Sequence, residues 1–432
     1  MTLATNTTRR QAMFGTGAVA LAGCTSLPPS APDPLGARID AHFAPLAATR
    51  DVSGVLRVER PGKPPLERSW GYADWQGRFR HTGETRFSAA SVTKGVTAAA
   101  LVALVRAGNM MLTDPVSRWM PALAAFPAMS LEAVLSHRAG LPRDFPDDYD
   151  PVRASASAWL AANRAGVGPV GEESYSNVGY GLLAEVIAAS TGRAFADVVG
   201  ELVVAPAGMT ASAVLPGIAA DAVGGALPYT AGPAPQLVET PVPAPLEFGS
   251  SGLVTTASDL IRWARALADG AWPELFAPDD PFGSIDRGTD AGGEYVSIQG
   301  TLPGYSANAI AWRGGPAVAY AGNLFSFPVL DMGRTLRALV AGEGPPVPAM
   351  RPADVPLGAE HRSLAGEHMA EGFGRIAIRL DASGRGMRLT FPERAAYWSF
   401  YLTPMAGGAL HWRAFDRILS RGADGTLVLV ER

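Results

Sequence analysis

The chain has 432 residues, 47% of them hydrophobic and 18% charged, with a net charge of −4 and an isoelectric point near 5.9. That length supports full hydrophobic cores and more than one domain, and an acidic balance without a basic stripe excludes nucleic acid as a partner. The six histidines, His42, His81, His137, His361, His368 and His411, fall into no H-E-x-x-H or comparable ligand spacing, so no metal site is expected.

The chain opens on "TTRRQAMFGTGAVALAGC". Its apolar run from Ala12 to Ala22 is too short to span a bilayer as a mature helix, which predicts a processed export signal over residues 1–23. "LAGC" resembles the lipobox of bacterial lipoproteins, which implies cleavage before Cys24 and a lipid carried on it. Cys24 is the only cysteine, so no internal disulfide competes for it. Arg9 and Arg10, followed by Phe14, resemble a twin-arginine signal. Residues 24–36, with "TSLPPSAPDPLG", read as a proline-rich tether. An exported lipoprotein of the periplasm or cell envelope is the expectation.

The body is expected over residues 37–342. "DVSGVLRVER" and "PLERSWGYAD" read as paired strands around the turn "PGKP". "FSAASVTKGVTAAALVALVRAG" then predicts a helix over 91–107 that ends at Gly108, with one lysine in an otherwise apolar run. An ammonium buried without a partner is costly, and Ser91 lies three residues before Lys94, on the same helical face. S-x-x-K is one way to arm a serine, because a desolvated lysine amine takes the hydroxyl proton. A lysine on the edge of a surface helix reads the same over four residues, so the weight rests on context.

Further helices are predicted in "MSLEAVLSH", "VRASASAWLAANRAG" and "NVGYGLLAEVIAASTG". "ESYSNVGYG" places Tyr175 and Asn177 at a helix entry, where an asparagine cap is the plainer reading. Tyr229 lies in a long irregular proline-rich stretch and is a candidate pocket wall. Trp263 and Trp312 sit in apolar segments and read as core. From Gly293, "EYVSIQG", "YSANAIAWRG" and "AVAYAGN" are strands, followed by a helix in "VLDMGRTLRALVAG". Strands at both ends with helices between predict an α+β fold, one sheet with an inserted helical domain. Residues 343–356 read as a linker, and 357–432 as a small antiparallel β domain.

"SVTK", "LSHRAGLP", "YSN" and "SSGLVTTASDLIRWARAL", in that order, resemble the serine β-lactamase and penicillin-binding-protein superfamily. The branch is that of class C β-lactamases, D-aminopeptidases and family VIII carboxylesterases, and the likeness runs over roughly residues 37–340. It implies an antiparallel sheet flanked by helices, and an acyl-enzyme formed without metal or organic cofactor. Ser91 would be the nucleophile at its helix's first turn, where the dipole favours negative charge. Lys94 would be the base, Tyr175 the proton shuttle, and Asn177 the group orienting the lysine or a substrate amide. His137 would be structural, since no G-x-S-x-G elbow occurs.

The third motif departs from the family pattern of a lysine or histidine, a small residue and a glycine. Here the strand reads "SIQGTLPGYSAN". Ile298 takes the cation's place and is a second candidate pocket wall. Gln299 keeps an amide donor, Gly300 is retained, and the Thr301 and Ser91 N–H groups would form the oxyanion hole. Arg313 is the candidate to restore the missing charge. The expected activity is therefore hydrolysis of small esters, then of D-residue peptides or amides, including cell-wall peptide, then of β-lactams. A non-catalytic binder of envelope material is the alternative.

Overall fold

The computed structural model describes residues 33–431 except 127, 147–148, 150–154, 216–224, 233–236, 240–248, 277–281, 284, 303, 326–331, 347–351 and 395–397. The export signal and Cys24 lie outside the described residues.

The fold is α+β. Six antiparallel strands form the main sheet: β1 (Gly54–Glu59), β2 (Leu66–Trp70), β3 (Ile285–Asp290), β4 (Gly293–Leu302), β5 (Tyr305–Trp312) and β6 (Ala317–Gly322), in the order β3-β4-β5-β6-β1-β2. Its two ends of sequence meet where β1 pairs with β6. Strands β5 and β6 are buried on both faces, and period-2 alternation sorts their side chains by size. Ala307, Ala309, Ala311, Ala317, Ala319 and Ala321 face one core, while Ile310, Trp312, Val318 and Tyr320 face the other.

Helix α1 (Pro34–Ala48) packs on the bulky face. Asp33 caps it and Pro34 stands in its first turn, where a missing N–H costs nothing. Helix α1 thus starts at Pro34, inside the stretch read as tether from sequence. On the alanine face lies α2 (Thr93–Arg106), apolar and buried from Thr93 to Val102. Such a helix must sit between layers. Around it stand α3 (Leu131–Leu135), α4 (Asn177–Thr191) and α5 (Ala257–Ala268), the last laid against β5 and β6 through Leu260, Trp263 and Ala264.

Residues 366–431 carry a seven-stranded antiparallel meander in sequence order. Its core holds Ile376, Leu389, Phe400 and Trp412, and also Phe325 from the preceding body. Arg413 pairs with Asp51 across the same junction, both buried.

Candidate active site

The turn Ala90–Val92 leads directly into α2 and presents Ser91. Ala90 has a φ of 48°, a strained value for a residue with a side chain. The turn is held by its neighbours. Ala89 N–H donates to Leu253 O at 2.8 Å, and Thr93 Oγ1 donates to Ala90 O at 2.7 Å while accepting from Leu253 N at 3.1 Å.

Ser91 Oγ lies 2.9 Å from the Tyr175 hydroxyl and accepts from Lys94 Nζ at 3.3 Å. Lys94 is 0% exposed. Its Nζ also donates to Ser250 O at 3.1 Å and lies 4.9 and 5.7 Å from the Tyr175 and Tyr180 ring centroids. Gly249, at φ 87°, sets that carbonyl in place, since a Cβ there would stand 2.1 Å from Tyr180 O. Ser91, Lys94 and Tyr175, 84 residues apart in sequence at the extremes, thus meet at one point.

Tyr175 enters the site just before α4. Ser176 is that helix's N-cap, accepting from Gly179 N at 2.9 Å and donating to Pro142 O at 2.5 Å. His137 Nδ1 accepts the Ser176 N–H at 3.0 Å, and its ring stacks on Tyr175 with centroids 4.6 Å apart. Burial, then the charges of Lys94 and Arg143, push the His137 pKa down to about 3. It is neutral at pH 7.

Asn177 departs from expectation. Its amide N–H is taken by Asp144 rather than turned on Lys94, and its backbone N–H donates to Arg143 O at 2.6 Å. Arg143 was not singled out in the sequence, although it follows "LSHRAGLP" directly. Its Cζ stands 5.0 Å from the Tyr175 ring centroid.

Strand β4 passes beside the Ser91 turn. A Cβ on Gly300 would lie 2.2 Å from Ala89 O and 2.8 Å from Ser91 N, so only glycine permits this approach. Ile298 has the same parity on the strand. It pairs with Ile285 and Ala309 and is 1% exposed within the core, so the pocket-wall expectation for it is corrected. Gln299 and Thr301 have the opposite parity and are half-buried.

Tyr229 is likewise no wall. It is 1% exposed, and its hydroxyl accepts Trp75 N–H at 3.0 Å and donates to Asp74 Oδ1 at 3.3 Å. Arg313 does not restore the missing charge either. It lies at the other end of β4 and β5, donating to Ala268 O at 2.9 Å and pairing with Glu294 at 3.0 Å. Trp263 and Trp312 are buried in the two cores. Among the described residues no group of three or more His, Cys, Asp or Glu stands together as metal ligands, and no helix is long and apolar enough to cross a membrane.

The profile of the family described as Beta-lactamase matches residues 39–324. The chain is 30% identical over 269 residues to Esterase EstB of Burkholderia gladioli, covering 55% of this chain and 65% of that protein. It is 25% identical over 226 residues to the D-alanyl-D-alanine-carboxypeptidase/endopeptidase AmpH of Escherichia coli (strain K12), covering 50% and 57% respectively. The chain therefore spans less than two thirds of the length of either relative. The octameric penicillin-binding protein homologue from Pyrococcus abyssi shares the fold, with a TM-score of 0.60 at 18% identity over 92% of this chain and 98% of that one.

Proposed function

The chain belongs to the beta-lactamase family, and from that premise we propose that it is a serine hydrolase that forms an acyl-enzyme at Ser91 and cleaves esters. One observation carries the reading: a single hydroxyl, on a strained turn, lies within hydrogen-bond reach of a buried amine and a phenol. Nucleophile and base in contact, oriented by third groups, are what acyl transfer requires. Lys94 takes the Ser91 proton as Oγ attacks the carbonyl carbon. Tyr175 then protonates the leaving oxygen, and the Ser91 and Thr301 N–H groups receive the oxyanion.

The ester preference is supported by the third-motif strand, whose residues 298–301 carry no charge to meet a substrate carboxylate, and by the likeness to an esterase. A carboxylate brought to that strand would be left unpaired, at a cost of about 1–3 kcal/mol. The likeness to AmpH supports a second reading, hydrolysis of D-alanyl peptides, with β-lactams after it. "LAGC" supports export and anchoring to a membrane through lipid on Cys24. Labelled palmitate should enter the wild type and not Cys24→Ser.

A fluorophosphonate probe tests the main reading. It should label the wild type and leave Ser91→Ala unlabelled, and kcat/KM should favour a short neutral ester over a cephalosporin and a D-alanyl peptide. An unlabelled wild type would make the chain a binder that has kept the fold, and preference for the D-alanyl peptide would establish the second reading.

A further inference from the structure

The third-motif strand brings no charge to the site, yet Tyr175 has to pass through a negatively charged state. As the ester C–O bond breaks, Tyr175 Oη gives its proton to the departing alkoxide and is left as phenolate. It stays so until Lys94, which took the Ser91 proton, returns one. A cation near the ring stabilises that state and lowers the barrier.

The geometry points to Arg143 as the positioning residue that supplies this charge to Tyr175, from the loop between α3 and α4 rather than from strand β4. This rests on the serine hydrolase reading above. Arg143 Cζ stands 5.0 Å from the Tyr175 ring centroid, matching the 4.9 Å of Lys94 Nζ, so two cations flank one phenol. Arg143 is held there by Asp144, 3.5 Å from its Nε, and Asp144 is fixed in turn by the Asn177 amide. The half-buried Asn177–Asp144 contact thereby acquires a purpose.

The charged and titratable groups facing Tyr175 come from several elements. Lys94 lies on α2, and His137 on the loop after α3, kept neutral by burial and then by the charges of Lys94 and Arg143. Tyr180 lies on α4, its phenol raised by burial and bonded to Leu135 O. From the described residues of the loop come Arg143 and Asp144. Arg394 approaches them from the C-terminal sheet, its guanidinium over Phe391 and Trp398, lowered by burial and then by Arg143. Among these groups Asp144 alone adds a negative charge, and it pairs with Arg143.

The test is the pH profile of kcat/KM for p-nitrophenyl acetate in wild type, Arg143→Gln and Arg143→Lys. Its acidic limb reports the hydrogen-bonded Ser91–Lys94–Tyr175 group as a whole. Removing a nearby positive charge favours the protonated form, so in Arg143→Gln the limb should move up by about half to one pH unit. Activity lost at neutral pH should return on the alkaline side, and Arg143→Lys should restore most of the wild-type profile. A rate lowered by one factor at every pH, or a lysine no better than glutamine, overturns the assignment. Should Arg143→Gln fail to fold, Arg143→Met must move the limb up in the same way, and no movement or downward movement overturns it equally. Fluorophosphonate labelling of wild-type Ser91 is scored separately, so failure of the hydrolase reading and failure of the Arg143 assignment remain distinct.

Discussion

The imidazole of His137 lies over the phenol of Tyr175, with ring centroids 4.6 Å apart and planes 30° from parallel. It also accepts the N–H of Ser176, so one neutral ring fixes both the face and the backbone of the residue that reaches Ser91. A stacked pair is worth about 0.5–1.5 kcal/mol. His137→Ala should therefore lower kcat/KM by up to roughly tenfold, chiefly through kcat. The wild-type imidazole should show no titration by NMR between pH 5 and 8, since its pKa is held at about 3; a titration there would return His137 to the list of bases.

A second buried histidine makes the fold acid-labile. His81 Nε2 lies 3.2 Å from both Ser53 Oγ and Asn323 Oδ1, and burial, partly offset by Asn323, lowers its pKa from 6.5 to about 4. The folded state thus keeps it neutral where the unfolded chain binds a proton. Its contribution is fully present above pH 6.5 and is lost as pH falls from there towards 4, about 3 kcal/mol in all. His137 adds in the same direction and over a window that reaches lower pH. Melting temperatures followed from pH 7 to 4 should fall, and His81→Asn should flatten part of that slope.

Ser91 and Lys94 act on one proton. Ser91→Ala and Lys94→Ala should each lower kcat by about 10³-fold or more, and the double variant should be no worse than either alone, because groups acting as a unit are not additive. Multiplicative losses would show that the two act independently.

Gly300 tests the approach of β4 to the nucleophile. In Gly300→Ala the new methyl meets Ala89 O and Ser91 N, backbone atoms that cannot swing aside. Overpacking of this kind costs about 1–3 kcal/mol, and a displacement near 1 Å at the reacting group costs about 10²-fold in rate. Thermal melting and kcat/KM measured together should both fall.

Ile298→Lys should not convert the enzyme to carboxylate substrates. Residue 298 is buried in the core opposite Ile285, whose side chain reaches Gly95 beside Lys94. An amine there enters apolar surroundings next to another cation, and an uncompensated buried charge costs about 3–5 kcal/mol. Chemical denaturation should show that loss, while a stable variant with a raised preference for a cephalosporin would mean that the lysine reaches the site.

The α+β order was legible because alternation and helical spacing are local. "AVAYAG" and "YSANAIAW" declare strands buried on both faces, and the apolar run around Lys94 declares a buried helix. Strand β3, "IDRGTD", was not legible, since an edge strand with exposed side chains needs no apolar pattern. Nor was α1, whose proline and cap look like tether until Leu35, Ile39 and Phe43 find a sheet to cover. At the site, "SVTK" and "YSN" named the three groups that meet, because spacing on one helix and a helix entry are properties of short segments. What each neighbour does depended on contacts between separate elements, 32 residues apart for Arg143 and Tyr175 and 33 for Asn177 and Asp144. Only the folded chain turns Asn177 to Asp144, buries Tyr229 and Ile298, carries Arg313 to the far end of its hairpin and sets Arg143 over Tyr175. A sequence fixes which side of an element a residue occupies; which partner waits on that side is decided by packing between elements that the sequence does not hold adjacent.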